Sequence, residues 1–129
     1  MSFEEYNAVT KQIIKAAIEV HKELGPGLLE SVYEHCFVEE LNGLGLKCSQ
    51  QVKLPLIYKG KNTEKTFVLD MLVEDKIVVE LKAVEMILPI HEMQLVSYLK
   101  LSNLKLGLLI NFHEEVLRDG IRRKINGIL

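Results

Sequence analysis

The sequence predicts an α/β sandwich built on a mixed sheet, in one domain over residues 1–129. Three observations lead there. Two helical patterns open the chain, with apolar residues recurring at spacings of three and four. Three strand patterns follow, separated only by turns. A helix opened by Pro89 then carries the chain to a fourth strand, and a helical crossover after a meander makes the sheet mixed.

Residues 2–24 read as the first helix, striped by Tyr6, Val9, Ile13, Ala17, Val20 and Leu24. Gly25 can take a left-handed cap and Pro26 cannot continue the helix. A second helix is expected from about Leu28 to Leu44. Its stripe is Leu29, Val32, Cys36, Leu41 and Leu44, with Tyr33 and Phe37 beside it. "CSQQVKLPLIYK", 48–59, reads as a strand in which Pro55 marks an exposed edge or a bulge. "KTFVLDMLV", 65–73, and "IVVELKAV", 77–84, are the second and third strands. Pro89 suits the first turn of a helix reaching about Ser102. "LKLGLLINF", 104–112, is the fourth strand, with Leu104, Leu106, Leu108, Ile110 and Phe112 on one face. Residues 114–129 fit either a short helix or a last strand around "GIRRKI".

The 129 residues are 48% hydrophobic and 26% charged, enough for a sizeable core without staples. A formal net charge of -2 argues against a dedicated, tight nucleic-acid binder but leaves transient binding through a local patch open. Two basic clusters exist: Lys53, Lys59, Lys61 and Lys65, and Arg118, Arg122, Arg123 and Lys124. Either, taken alone, reads first as solvated surface. Cys36 and Cys48 form neither a disulfide framework nor a metal-ligand spacing. The N-terminus lacks the pattern of a signal peptide and no apolar run is long enough to span a membrane, so a cytoplasmic location is expected.

Charges interrupt two strands that otherwise read as core. Asp70 breaks "FVLDMLV", and Glu80 and Lys82 break "IVVELKAV". Side chains alternate across a strand, so Glu80 and Lys82 share a face. A three-residue loop, Glu74 to Lys76, would pair Val73 with Ile77 and set Asp70 opposite Glu80. A two-residue loop would send them to different faces. Opposed carboxylates removed from water need a positive partner, either Lys82 or a divalent cation. Magnesium-like ions take one or two carboxylates plus waters and phosphate oxygens. The plainer alternative is an exposed cross-strand salt bridge, and the spacing alone favours it.

More of the chain bears on this choice. Asp70 and Glu80-Leu81-Lys82 on a hairpin, followed by a helix and a strand, resemble the PD-(D/E)xK nuclease superfamily. "GLLESVY", 27–33, fits Gly-x-x-Glu-x-x-Tyr and looks like the GxxExxY proteins of that superfamily. The likeness runs through "VHKELGPGLLESVYE", "LVEDKIVVELKAVE", "QLVSYLKL" and "LGLLINF". It implies a restriction-endonuclease-like sandwich with an αβββαβ core, a mixed sheet flanked by helices and an extra N-terminal helix. It also implies that Asp70 and Glu80 hold metal, with Glu30 on the first core helix and the Leu81 backbone carbonyl as further ligands. Lys82 matches the catalytic lysine. Gln94 and Tyr98 resemble a Gln-x-x-x-Tyr motif that supports the site or binds nucleic acid, and Tyr33 is grouped with them. The superfamily's proline is Leu69 here.

Plainer roles stand beside these. Glu30 suits the positive end of a helix, Gln94 and Tyr98 suit the polar edge of a packed helix, and Tyr33 suits the core with its hydroxyl at the rim. His21, His35, His91 and His113 show no zinc-ligand pairing.

The resulting expectation is a nuclease using Mg²⁺ or Mn²⁺ on DNA or, second, RNA. Its small core is compatible with a homodimer. The rivals are a catalytically silent nuclease fold that binds nucleic acid, a homodimeric interaction module, and a hydrolase of other phosphate esters.

Overall fold

A computed structural model describes residues 1–129. Helix α1 spans Phe3–Leu24 and α2 Glu30–Gly43. Strands β1 (Cys48–Tyr58), β2 (Lys61–Val73) and β3 (Ile77–Lys82) follow. Helix α3 is Pro89–Ser102, β4 is Leu106–Asn111, and a 3-10 turn at Leu117–Gly120 leads into β5, Ile121–Ile125. The sheet order is β1-β2-β3-β4-β5, parallel only between β3 and β4. This is the mixed sheet that a meander followed by one helical crossover produces.

Ser2 starts α1 through a reciprocal cap. Its hydroxyl accepts the Glu5 N–H at 3.1 Å, and the Glu5 carboxylate accepts the Ser2 N–H at 3.2 Å. Gly25 ends the helix at φ 68°, a value that favours glycine, and its N–H donates to the His21 carbonyl.

The sheet is covered on both faces. Helices α1 and α2 bury Ile13, Ala17, Phe37 and Leu41 against Met71, Val79, Leu81, Leu108 and Ile110. Helix α3 buries Leu95 and Leu99 against Leu69, Val78 and Leu109 on the other side. The side chains named are fully buried, and each of the larger aliphatic and aromatic ones stabilises by roughly 1.5–3 kcal/mol.

Several expectations need correction. The buried stripe of α2 is Tyr33, Phe37 and Leu41 at four-residue spacing, whereas Leu29 and Val32 are exposed. Strand β2 begins at Lys61 rather than 65, because a bulge after Asn62 keeps it paired to β1 across residues of no clear alternation. Strand β3 stops at Lys82, since Val84 leaves the sheet to be held by the Asn111 side chain, whose Oδ1 accepts the Val84 N–H at 3.1 Å and whose Nδ2 donates to the Val84 carbonyl at 2.9 Å. Leu104 precedes β4 and packs on the α3 side, away from Leu106, Leu108 and Ile110. The tail holds both of its expected alternatives, a short 3-10 turn and then a strand. Strand β1 is an edge, and Pro55 sits where its register with β2 shifts.

Candidate active site

The loop between β2 and β3 has three residues. Val73 pairs with Ile77, Leu72 with Val78 and Met71 with Val79, and there the ladder stops. Glu74 and Asp75 make this turn at φ 53° and 57° without glycine. The next rung would set Asp70 against Glu80. Instead the strands part, and their carboxylates span the gap. Glu80 Oε2 accepts the Asp70 N–H at 2.7 Å, and Asp70 Oδ2 accepts the Leu81 N–H at 2.9 Å. Asp70 is free to do this because its β1 rung is also missing. Gln50 pairs with Met71 and Val52 with Leu69, but Gln51 between them is at φ 49° and leaves the ladder.

Each carboxylate keeps one oxygen, Asp70 Oδ1 and Glu80 Oε1, without a hydrogen bond. The Leu81 carbonyl faces the same gap. In an extended strand a residue's N–H and C=O point to one side and its neighbours' to the other. Lys82 accepts the Phe112 N–H from the β4 side, and the Leu81 N–H meets Asp70 on the β2 side.

Burial and mutual repulsion load this pair. Glu80 is 5% exposed. Burial, and then the Asp70 charge, push its carboxyl up to about 8, while the Asp70 N–H and Lys82 pull the other way. Asp70 is also raised, first by burial, against the pull of the Leu81 N–H and Lys82. Glu30, at the first turn of α2, is raised by burial and then by Asp70, with Lys82 opposing. Lys82 therefore lowers all three acids, yet it makes no close ion pair with any of them. The exposed salt bridge anticipated as the plainer alternative is not what these strands form.

The other anticipated residues divide. Tyr98 on α3 senses the pair: burial raises its phenol, followed by the Glu80 and Asp70 charges. Its ring lies 5.3 Å from that of Phe67. Gln94 is exposed one turn earlier on α3. Tyr33 is fully buried, so its hydroxyl is not at a rim. That hydroxyl donates to the Gly25 carbonyl at 2.5 Å and accepts the Leu28 N–H at 3.1 Å, pinning the loop that delivers Glu30. The histidines serve locally. His91 Nδ1 accepts the Leu88 N–H and caps α3, and His21 Nε2 lies 2.6 Å from the Glu114 carbonyl oxygen.

Two residues escaped the sequence reading. Glu34 lies one turn after Glu30, accepts hydrogen bonds from Gln50 and Gln51, and raises both Asp70 and Glu30. Its four-residue spacing from Glu30 was the available signal. Asn111 is fully buried and fixes the chain just after Lys82.

The family model described as the PD-(D/E)XK nuclease superfamily matches residues 7–124, nearly the whole chain. The chain belongs to the PD-(D/E)XK nuclease superfamily. The three helices and five-stranded mixed sheet agree with its restriction-endonuclease-like fold. Membership supports a nuclease-type function and nucleic acid as the class of substrate, and PD-(D/E)XK nucleases generally use divalent metals. Comparison with curated proteins and with solved structures gives no significant match. No helix is long and apolar enough to cross a membrane.

The donor set of this PD-(D/E)XK domain can be tested against such an ion. No three His, Cys, Asp or Glu side chains close into a cage. What the gap offers is two hard carboxylate oxygens free of hydrogen bonds and a backbone carbonyl. Magnesium-like ions are commonly held this way, with waters and phosphate completing the shell. The residues fit.

Proposed function

We propose that this PD-(D/E)XK domain is a metal-dependent phosphodiesterase acting on DNA, using Mg²⁺ or Mn²⁺. The observation that carries the reading is the crossed pair Asp70–Glu80. Buried Glu80 and half-buried Asp70, whose charges repel, each hold one oxygen free, and Lys82 alone stands near as a countercharge. Asp70 and Glu80 would hold the ion, with the Leu81 carbonyl and Glu30, through the latter's shared electrostatic field, at its margin.

A bound divalent ion supplies Lewis-acid polarisation of the scissile phosphate and acidifies a water. Lys82 orients the attacking water and neutralises charge growing on the phosphate oxygens, an effect worth about 10²–10³ in rate for one well-placed donor. Burial of Glu80 keeps the local dielectric low, which strengthens that interaction. Tyr98 and Gln94 lie along the face of α3 on which a nucleic-acid strand would rest. A single cytoplasmic domain, free or paired as a homodimer, suits this chemistry.

Two measurements test it. Millimolar Mn²⁺ should raise the melting temperature of the wild type and leave Asp70→Asn with Glu80→Gln unmoved. Lys82→Ala should keep the Mn²⁺-induced rise and lose cleavage of DNA. Wild-type protein that neither gains stability from Mn²⁺ nor cleaves DNA in its presence would sink the reading.

A further inference from the structure

The β1–β2 hairpin outruns the sheet. Strand β3 pairs with β2 only over Met71 to Val73, and α3 reaches the hairpin through Phe67 against Tyr98. Beyond that contact, β1 and β2 continue alone to a two-residue turn at Lys59-Gly60, closed by the pair Tyr58↔Lys61. Lys59 at φ 49° and Gly60 at φ 78° make the tight, twisted turn that such hairpins favour, with glycine where it is best tolerated. From Met71 to Lys61 the ribbon spans up to roughly 30 Å at about 3.3 Å per residue. Asp70 stands at its base.

This ribbon carries one sign of charge. Residues 53–66 hold Lys53, Lys59, Lys61 and Lys65 against Glu64 alone, a net of +3, so the rest of the chain carries -5 of the overall -2. The four lysines are exposed and none forms an ion pair. The other basic cluster differs. Arg122 and Lys124 are engaged with Glu92, and Arg123 donates to Asn7. At the tip, the Lys59 ammonium sits 5.5 Å over the Tyr58 ring, which is 63% exposed. A bulge bends the tip relative to the base. Thr63, Glu64 and Lys65 oppose Leu56 alone, and the Thr63 hydroxyl fixes the bend by donating to the Leu56 carbonyl at 2.8 Å.

We propose that the ribbon, residues 53–66, is an arm that lies in the major groove of duplex DNA and holds it against the site at Asp70. The proposal rests on the nuclease reading only for the direction in which the arm presents the duplex. A two-stranded ribbon fits the major groove of B-form DNA, about 12 Å wide, and does not fit the deep, narrow one of A-form RNA. Lys59, Lys61 and Lys65 contact phosphates, and Tyr58 meets the groove floor. The acidic remainder of the chain is repelled from the duplex, so the arm determines how the nucleic acid approaches.

Fluorescence anisotropy of a short labelled DNA duplex tests this, on the full chain in EDTA so that no cleavage intervenes. The comparison is between wild type, the triple variant Lys59→Gln, Lys61→Gln, Lys65→Gln, and a control, Lys11→Gln with Lys15→Gln on α1. The triple variant should melt like the wild type, since all three side chains are exposed. It should lose at least about tenfold in affinity, and its salt slope between about 50 and 200 mM should fall by about 3. The control should bind as the wild type does. Wild-type protein that ignores the duplex, or a triple variant that binds unchanged, overturns the arm. So does equal wild-type affinity for duplex RNA, or a triple variant whose main defect is loss of self-association. Failure of the nuclease reading looks different: the wild type binds through the arm and leaves DNA intact with Mn²⁺ present.

Discussion

Glu80→Gln should make the metal-free protein more stable, and only at the higher pH values. Glu80 titrates near 4.5 in an unfolded chain and at about 8 in the fold, because burial and the Asp70 charge oppose its ionisation. The folded state therefore keeps a proton that the unfolded state releases. Stability falls as pH rises from 4.5 to 8, and the full penalty remains above that. At about 1.4 kcal/mol per pH unit this reaches up to about 5 kcal/mol. Glutamine is nearly isosteric and carries no charge, and its carbonyl can still accept the Asp70 N–H. Near pH 5 the two proteins should melt together. Near pH 9 the variant should melt higher by roughly 10 °C or more, at about 3–5 °C per kcal/mol for a chain of this length. Differential scanning fluorimetry in EDTA across that range reads the difference directly. Asp70 and Glu30 titrate in both proteins, so the difference reports Glu80 and its coupling to them. A difference that stays flat with pH, or a variant less stable at pH 9, would refute the argument that an uncompensated charge is stored there.

Three further outcomes follow from the same geometry. Mn²⁺ must displace the Glu80 proton, so its Kd should tighten by up to about tenfold per pH unit until about pH 8 and then level off, as calorimetric titration would show. Tyr33→Phe removes the hydroxyl that joins Gly25 to Leu28 and should cost about 1–3 kcal/mol in urea unfolding, with the buried ring still packed. Asn111→Ala removes the partner of both half-buried backbone groups of Val84 and should cost about 1–3 kcal/mol, visible as a lower melting temperature at every pH.

The parts of the fold that announce themselves in the sequence are those where one physical signal acts alone. Helix α1 has an uninterrupted stripe and Gly25 as a stop, and α3 has Pro89 in its first turn, so both are legible. Where two signals compete, the sequence leaves a choice. Helix α2 carries apolar residues on more than one side, and type alone cannot say that Leu29 and Val32 face water while Tyr33 and Phe37 face the core. The ribbon's Thr63–Lys65 bulge has no alternation to read, since both its faces are wet. The turn after Val73 lacks glycine, so its length stayed open between two and three residues, and the shared face of Asp70 and Glu80 hung on that length. The charges themselves were conspicuous because buried strands rarely carry any. Their crossed hydrogen bonds were not legible, since these depend on two strands parting at one rung. Glu34 was passed over because nothing in its local pattern points at a strand so distant in sequence.

Phe112 links the two sides of the site. Its ring stacks on Tyr33 at 4.6 Å, and Tyr33 in turn holds the loop leading to Glu30. Its backbone N–H donates at 2.9 Å to the Lys82 carbonyl. Helix and sheet thus meet at one shared residue within the core. A displaced Phe112 ring would disturb the loop leading to Glu30 and the Lys82 backbone together. The placement of Glu30 and that of Lys82 thus share one dependence, the seat of a single aromatic ring.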